Sequence, residues 1–257
     1  MKARLIGLLA GILSLGLIGS ASAADMAVKA RPMPLPDPVF SWTGFYIGVH
    51  GGGAWFDKNW DAPLTATNIN GGCPGCPRNI ASQSASSWLA GGQIGYNFQS
   101  GMWVYGVEFD GSWTDLKATS PNALSPANLF VRSKTDAMGT LAARLGVAVN
   151  QTLFYVKGGG AIVGDRFSVG LTATGVDAQA TSATRGGWMV GVGVEYAFAP
   201  SWSVKAEYNH LDFGTARETV QPLTPAVAPF DYDIRQRIDL VKVGLNYRFG
   251  GPIVAKY

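Results

Sequence analysis

The stretch LVKVGLNYRFGG, Leu240–Gly251, decides the fold. Its apolar residues alternate with polar residues and glycine, and they are Val241, Val243, Leu245, Tyr247 and Phe249. A period of two indicates a β-strand with one apolar and one polar face. In a soluble barrel the apolar face points inward, whereas in a membrane barrel it points at lipid. The rest of the chain must distinguish these two arrangements.

Composition and the first residues indicate an exported protein. Charged residues make up 14% of the 257 positions, against about 25% in ordinary soluble domains. Lys2 and Arg4 precede an apolar run from Leu5 to Ile18, and small residues follow at 21–23. This pattern predicts a cleaved secretory signal peptide over 1–23, because the run is shorter than the ~20 residues of a membrane-spanning helix. Removing it lowers the formal charge from +3 to about +1, which gives no reason to expect a nucleic-acid partner.

The two cysteines, Cys73 and Cys76, lie in the stretch GGCPGCPR. A C-x-x-C pair can be a redox site, half of a zinc site or a local disulfide. No second Cys or His pair accompanies it, and an exported chain enters an oxidising compartment, so the local disulfide is favoured.

A linker is predicted over 24–41. Prolines occupy every second position from Pro32 to Pro38, and such a run favours extended chain that cannot join the interior of a sheet. The linker is interpreted as a periplasmic spacer, with contact to the cell wall as the alternative.

The alternation recurs seven more times before the final stretch. These segments begin at Phe45, Trp88, Trp103, Thr140, Leu153, Trp188 and Trp202. Short turns at 99–101, around Asn150 and at 199–201 alternate with long polar segments at 57–86, 116–134, 165–183 and 214–233. This layout predicts an all-β fold over 42–250, an eight-stranded antiparallel up-and-down transmembrane barrel with four long extracellular loops and short periplasmic turns.

Two further features favour an apolar face toward lipid. The proposed outer face carries aromatic residues near the strand ends, namely Trp42, Trp88, Trp103, Trp113, Trp188, Trp202, Tyr247 and Phe249. Such residues collect at membrane interfaces. The opposite face holds Gly, Ala, Ser, Asn and charged residues, which suits a narrow polar interior rather than a packed apolar core.

The charges on that inward face nearly balance. The acidic members are Glu108, Asp110, Glu195 and Glu207, and the basic members are Arg144, Lys157, Lys205, Lys242 and Arg248. Because isolated charges in a tight interior would cost several kcal/mol each, we expect opposite signs to pair and fill the lumen. No catalytic, cofactor or metal site is predicted among them.

Four motifs carry a family resemblance. WTGFYIG (42–48), ARLGVAV (143–149), WSVKAEY (202–208) and the terminal VKVGLNYRFGGPIVAKY (241–257) resemble small outer-membrane β-barrels of alphaproteobacteria, the "porin family" that includes abundant surface antigens. Lys242, Gly244, Tyr247 and Phe249 are similar to the signal read by the barrel-assembly machinery, although a tail over 251–257 follows them. The resemblance implies an outer-membrane location, contact with outer-membrane lipid and lipopolysaccharide, and no cofactor. It does not imply pore activity.

Four functions are compared. The favoured one is a non-enzymatic role in envelope integrity and surface display. The 57–86 segment is the candidate for binding host or surface ligands. No peptidoglycan-binding domain is expected after the barrel. The alternative is a small diffusion porin, since lumenal glycines such as Gly95 and Gly193 could leave a water-filled gap. An enzyme built on His210 and Asp212 has less support because no motif identifies a nucleophile. A soluble ligand-binding barrel is the fourth function considered.

Overall fold

The described part of the computed structural model, residues 40–62, 79–122, 128–222 and 230–249, is a closed β-barrel. Its strands are β1 Gly44–Asp61, β2 Asn79–Ser100, β3 Trp103–Pro121, β4 Leu129–Val149, β5 Thr152–Leu171, β6 Val176–Ala199, β7 Trp202–Pro222 and β8 Phe230–Phe249. Each strand pairs antiparallel with the next, and β1 pairs with β8 to close the ring. The predicted eight-stranded up-and-down barrel is confirmed. Within the described ranges, no helix is long and apolar enough to cross a bilayer.

The periplasmic turns are as short as the sequence predicts. Two residues each separate β2 from β3, β4 from β5 and β6 from β7. Gly101 and Asn150 enter the left-handed region in the first two turns, with φ of 60° and 54°. Glycine and asparagine adopt this backbone at the lowest cost, which explains their place there.

The strands extend far into the segments that the sequence pattern assigns to loops. The β5–β6 connection is reduced to residues 172–175, and the other three extracellular connections are also shorter than predicted. The physical reason is an inversion of the pattern. In β8, Asp233 and Arg237 face out while Ile234 and Ile238 are fully buried. The sequence pattern identifies strands by their outward apolar residues. It therefore ends each predicted strand at the membrane surface, although the strand continues into water.

The apolar face of the lower strands points outward. Val241, Val243 and Phe249 are 45%, 57% and 55% exposed, whereas Lys242 between them is buried. Along β3 the outward apolar band runs from Trp103 to Trp113. Roughly ten residues at about 3.3 Å each, tilted by about 40°, span about 25 Å along the membrane normal, the height of a lipid-facing band.

Aromatic residues border this band at both edges, with one correction. Trp88 and Trp188 are exposed at the upper edge, and Trp103 and Trp202 at the lower edge. Trp42, however, is 1% exposed, so its predicted place on the outer face is wrong. The reason is that β1 begins only at Gly44. The chain before it turns under the barrel, and the Trp42 amide donates to Gln99 Oε1 at 2.7 Å.

The barrel interior is layered rather than uniformly polar. A periplasmic apolar layer includes Trp42, Val104 and Leu153. A charged layer lies above it, and then a central apolar layer formed by Ala54, Phe56, Leu89, Leu116, Met138, Ala142, Ala161, Val163, Met189, Leu211, Phe213, Ile238 and Leu240. An upper apolar layer contains Trp60, Ala62, Ile80, Ala81, Val131, Phe167, Val169, Tyr232 and Ile234. The expectation of a polar interior holds for the charged layer and fails both below and above it, where the inward side chains are mostly apolar.

Candidate functional site

The charged layer is organised around Glu108 on β3. Lys157 Nζ lies 2.7 Å from Glu108 Oε1, and Lys205 Nζ lies 3.2 Å from Glu108 Oε2. Arg144 Nη1 approaches the same Oε2 at 3.6 Å. Tyr46 donates its hydroxyl hydrogen to Oε2 at 2.9 Å. One carboxylate thus joins cations from β4, β5 and β7 across the lumen.

Glu207 on β7 is the second hub of the charged layer. It accepts hydrogen bonds from Lys157 at 2.9 Å and from Lys205 at 3.0 Å. The Tyr155 hydroxyl donates to it at 2.5 Å. Lys157 and Lys205 therefore each bridge Glu108 and Glu207, which makes a closed four-membered network of alternating sign.

Two ion pairs extend this network toward both ends of the barrel. Arg144 Nη2 lies 2.8 Å from Glu195 Oε2 on the periplasmic side. Lys242 Nζ lies 2.8 Å from Asp110 Oδ2 on the other side. The nine residues singled out from the sequence alternation, four carboxylates and five cations, are all buried. Arg248 differs from the expected pairing, because its guanidinium donates to the Pro200 carbonyl oxygen at 2.7 Å. The other eight form the ion pairs described above. Complete pairing offsets the cost of removing these charges from water.

His50 belongs to the same layer, although no sequence pattern distinguishes it from other inward residues. Its Nδ1 lies 2.5 Å from Gln93 Oε1 and 3.5 Å from Asp110 Oδ2. Its Nε2 lies 2.9 Å from the hydroxyl oxygen of Ser112. The position of His50 on the inward face of β1 is the signal that could have placed it there.

Lumenal glycines make room for the two lumenal tyrosines. A Cβ at Gly193 would lie 2.5 Å from the hydroxyl oxygen of Tyr155, and one at Gly95 would clash with the Tyr46 ring. These two positions are filled by neighbouring side chains. The space that the missing side chains leave is therefore not available as a water-filled gap at either glycine.

A second, smaller ion pair lies above the membrane level and was missed by sequence reasoning. Lys58 Nζ is 2.8 Å from Asp165 Oδ1, and both side chains are fully buried. Thr135 donates to the same carboxylate oxygen, and Phe56 and Phe167 place their rings 5.0 Å and 4.9 Å from the ammonium group. Burial lowers the pKa of Lys58, and Asp165 opposes that shift. Lys58 and Asp165 fall in segments that the sequence pattern assigns to loops.

The terminal residues that resemble the assembly signal occupy two sides of β8. Lys242 points into the lumen, and a Cβ at Gly244 would lie 3.0 Å from the Val49 carbonyl oxygen. Tyr247 and Phe249 face outward at the periplasmic edge, with ring centroids 5.0 Å apart. That the assembly machinery reads them stays a prediction. The signal peptide, most of the linker, Cys73, Cys76 and the 251–257 tail lie outside the described residues.

The structure does not bring His210 and Asp212 together as a pair. His210 Nδ1 lies 2.8 Å from Asp239 Oδ1, whereas Asp212 accepts from Arg237 at 3.2 Å. The Tyr208 hydroxyl donates to the same Asp239 oxygen at 2.7 Å. In the described ranges no group of three or more His, Cys, Asp or Glu side chains is arranged to hold a metal ion.

Comparison with known proteins assigns the family. A family model described as outer membrane protein beta-barrel domain matches residues 12–249. The 31 kDa outer-membrane immunogenic protein of Brucella melitensis biotype 1 is 30% identical over 246 residues, which cover 90% of this chain and 94% of that protein. The 25 kDa outer-membrane immunogenic protein of Brucella abortus biovar 1 is 26% identical over 235 residues, covering 90% and 91% respectively.

Solved structures give more distant matches. The outer membrane protein OprG from Pseudomonas aeruginosa aligns with a TM-score of 0.48 and 14% identity, over 83% of this chain and 100% of OprG. The family model and the Brucella relatives support the resemblance drawn from the four sequence motifs, together with the location in the outer membrane. The chain belongs to the outer membrane protein beta-barrel domain family.

Proposed function

We propose that this protein is a non-enzymatic structural component of the outer membrane, with a closed lumen and an extracellular wall that displays its loops. The observation that carries the proposal is the sequence of layers inside the barrel. Any path through the lumen must cross the paired charged layer and then the central and upper apolar layers.

The charged layer alone would obstruct ion flow. Lys157 and Lys205 are each held between Glu108 and Glu207, so a passing ion would have to separate buried pairs. Breaking one partner out of a buried pair costs about 3–5 kcal/mol. An eight-stranded barrel also has an interior only wide enough for its own side chains.

The central apolar layer adds a second barrier of a different kind. Phe56, Leu89 and Met189 are no more than 2% exposed and point inward from three different strands. A hydrated ion that enters such a layer loses water without gaining any polar partner. Conduction would therefore require a rearrangement of the packed interior.

The upper barrel supports the surface-display part of the proposal. The outer wall above Trp55 and Trp113 carries Asp57, Asp115 and Lys117 toward water. Pairing of β1 with β2, and of β3 with β4, continues to the upper ends of β1 and β3. The strands therefore hold the connecting segments well away from the bilayer. The Brucella relatives are named outer-membrane immunogenic proteins, which agrees with an exposed wall.

Single-channel recording tests the closed lumen. The mature protein is refolded into a planar bilayer, and insertion is checked by heat-modifiable migration. We expect a silent membrane, with a conducting general porin as the positive control. Discrete, reproducible steps whose ion selectivity changes in the Lys157→Gln variant would replace the proposal with the alternative, a small diffusion pore.

A deletion strain tests the structural role. Cells that lack the protein should take up a hydrophobic dye faster and tolerate detergent less well, and the wild-type gene should restore both properties. Unchanged permeability in the deletion strain would oppose a role in envelope integrity and leave surface display as the remaining part of the proposal.

A further inference from the structure

Three cations lie side by side on the outer wall of β3, β4 and β5. Lys117 is the register partner of Lys134, and Lys134 is the register partner of Arg166. Their side chains face outward and are 55%, 32% and 68% exposed. Like charges directly opposite each other destabilise a sheet. This basic row therefore needs compensation from nearby anions.

Carboxylates of the chain provide only part of that compensation. Asp115 lies 2.7 Å from Lys117 and 3.9 Å from Lys134. Asp136 contacts Lys134 and lies 3.8 Å from Arg166 Nε. Two carboxylates thus serve three cations. Arg166 is the most exposed member of the row, and its nearest carboxylate, at 3.8 Å, is farther away than the nearest carboxylate of either lysine.

The basic row lies just above the level of the lipid headgroups. Lys117 follows Trp113, the outward tryptophan at the upper edge of the apolar band, by four positions. That is about 13 Å of strand, or about 10 Å along the membrane normal at a tilt of about 40°. The polar region outside the hydrocarbon core is about 5–8 Å thick on each side of a bilayer. Phosphate groups of the outer leaflet therefore come within reach of the long Lys and Arg side chains.

An apolar groove on the same strands begins directly below the row. Its floor includes Gly111, Ala137 and Gly139, and its walls include Trp113 and Ile162, around a volume of about 310 Å³. A Cβ at Gly111 would have nothing within 4 Å, so packing inside the protein does not require glycine there. A larger apolar residue at that lipid-facing position would bury more surface, yet the groove is left open.

The groove continues upward to the cations. A second cleft shares Ala137, Gly164 and Thr184 with the apolar groove and reaches Arg166. A third cleft shares Arg166 with it and is lined by Arg132 and Lys134, with a volume of about 490 Å³. The three clefts therefore form a track from an apolar floor at membrane depth to an upper end lined by Arg132, Lys134 and Arg166. The carboxylates Asp136 and Asp177 also line this upper end.

We propose that this track binds one lipopolysaccharide molecule of the surrounding outer leaflet. Its phosphate groups lie against the basic row, and one acyl chain lies along the glycine-floored groove. The phosphates supply the negative charge that the nearby carboxylates do not fully provide to the basic row. The acyl chain supplies apolar contact to the groove. The inference rests on the outer-membrane location and is independent of whether the lumen conducts.

The test measures binding of fluorescent rough-type lipopolysaccharide to the refolded protein in neutral detergent. The test variant is Lys117→Gln/Lys134→Gln/Arg166→Gln. Its matched control, Arg217→Gln/Arg235→Gln/Arg237→Gln, removes the same charge from the outer wall of β7 and β8. Each cation near an anionic lipid contributes about a factor of five, so we expect affinity to fall about a hundredfold in the test variant and less than about threefold in the control.

Two further measurements separate the possible ligands. Lipopolysaccharide stripped of its phosphates should bind the wild type as weakly as the intact form binds the test variant. Vesicles of phosphatidylglycerol should bind less tightly than lipopolysaccharide, and equal binding would overturn the assignment to lipopolysaccharide in favour of any anionic lipid. Equal affinity of the wild type and both triple variants would overturn the site itself.

The groove has its own test. Gly111→Leu places a side chain into open space over the groove floor. Gly51→Leu adds the same side chain on β1, away from the track, where a Cβ would make only an ordinary contact of 3.6 Å with the Leu89 carbonyl oxygen. We expect Gly111→Leu to weaken lipopolysaccharide binding about tenfold and Gly51→Leu to leave it unchanged, with both proteins folded by heat-modifiable migration. The same effect from both substitutions would exclude the groove as the acyl-chain site.

Discussion

Lys58 Nζ and Asp165 Oδ1 are 2.8 Å apart in the extracellular part of the barrel, where both side chains are inaccessible to water. Removal of either partner leaves a buried charge without its counter-ion. Asp165→Ala should therefore lower the free energy of unfolding by about 3–5 kcal/mol, as measured by urea unfolding in detergent micelles. The double variant Lys58→Met/Asp165→Leu removes both charges and should recover most of that loss. A double variant as unstable as the single one would show that the pair itself stabilises the barrel.

Two adjacent glycines on β5 should respond in opposite ways to the same substitution. A Cβ at Gly159 would collide with the backbone carbonyl oxygen of Leu141, whereas at Gly160 the nearest atom would be 4.0 Å away. Gly159→Ala should destabilise the barrel by about 3 kcal/mol, because the backbone of β4 cannot move aside cheaply. Gly160→Ala should be neutral or stabilise by about 0.5 kcal/mol. The stability of both variants is measured by the loss of the fast-migrating folded band on a gel as the temperature rises. Equal effects of the two substitutions would contradict the difference in free space between the inward and outward faces of β5.

Alkaline pH should loosen the upper apolar layer through Tyr232. Its side chain is 5% exposed, and burial raises the pKa of its phenol from the usual 10.0 to about 12. The folded state therefore favours the neutral phenol, so the stabilisation is complete below pH 10 and declines as the pH rises toward 12. The loss is about 1.4 kcal/mol per pH unit over that window.

The Tyr232→Phe variant isolates this effect from the titration of other tyrosines. It should show a shallower decline in unfolding free energy between pH 10 and pH 12 than the wild type. Identical pH profiles for the two proteins would mean that Tyr232 reaches water more easily than its burial indicates.

The end of β8 should matter more for assembly in cells than for stability. Tyr247 and Phe249 pack against each other at the lipid-facing edge, with Trp202 5.0 Å from Tyr247. Phe249→Ala should reduce the amount of protein in the outer membrane several-fold while the purified variant still refolds in detergent. Val243→Ala, an outward substitution higher on the same strand, serves as the control. A loss of refolding in Phe249→Ala would assign its effect to packing instead of recognition.

The membrane-embedded half of the barrel could be predicted from the sequence because one physical rule governs it. Apolar residues such as Val243 face lipid, so the residues that alternate with them must face inward. This alternation alone predicts that Lys242 and Glu207 point into the lumen. Their pairing follows from the cost of burying an isolated charge. Which cation meets which carboxylate depends on the register between strands, and a single sequence does not contain that information.

The extracellular half could not be predicted by the same rule. In the stretch from Asp231 to Leu240 the apolar residues point inward, as in a soluble barrel, and the outward ones are charged. Apolar and polar residues still alternate, but here the apolar ones face inward. A pattern that expects apolar residues on the lipid side therefore does not recognise this stretch as a strand. The buried pair of Lys58 and Asp165 was missed for this reason. The prediction for Trp42 was wrong for a different reason. The alternation was extended to residues that precede Gly44, where β1 begins.

The apolar residues of the strands face outward within the membrane and inward above it. In the upper part of the sheet, the residues that contact water are therefore different from those that maintain the packing. Above the upper tryptophans, outward residues such as Thr219 and Asp231 contact water and each other, while the inward residues carry the packing. Most of the charges on this wall could therefore be exchanged without disturbing the interior that supports it. This wall can vary in sequence at little cost in stability, because the surface that contacts water and the core that maintains the fold share strands but not side chains.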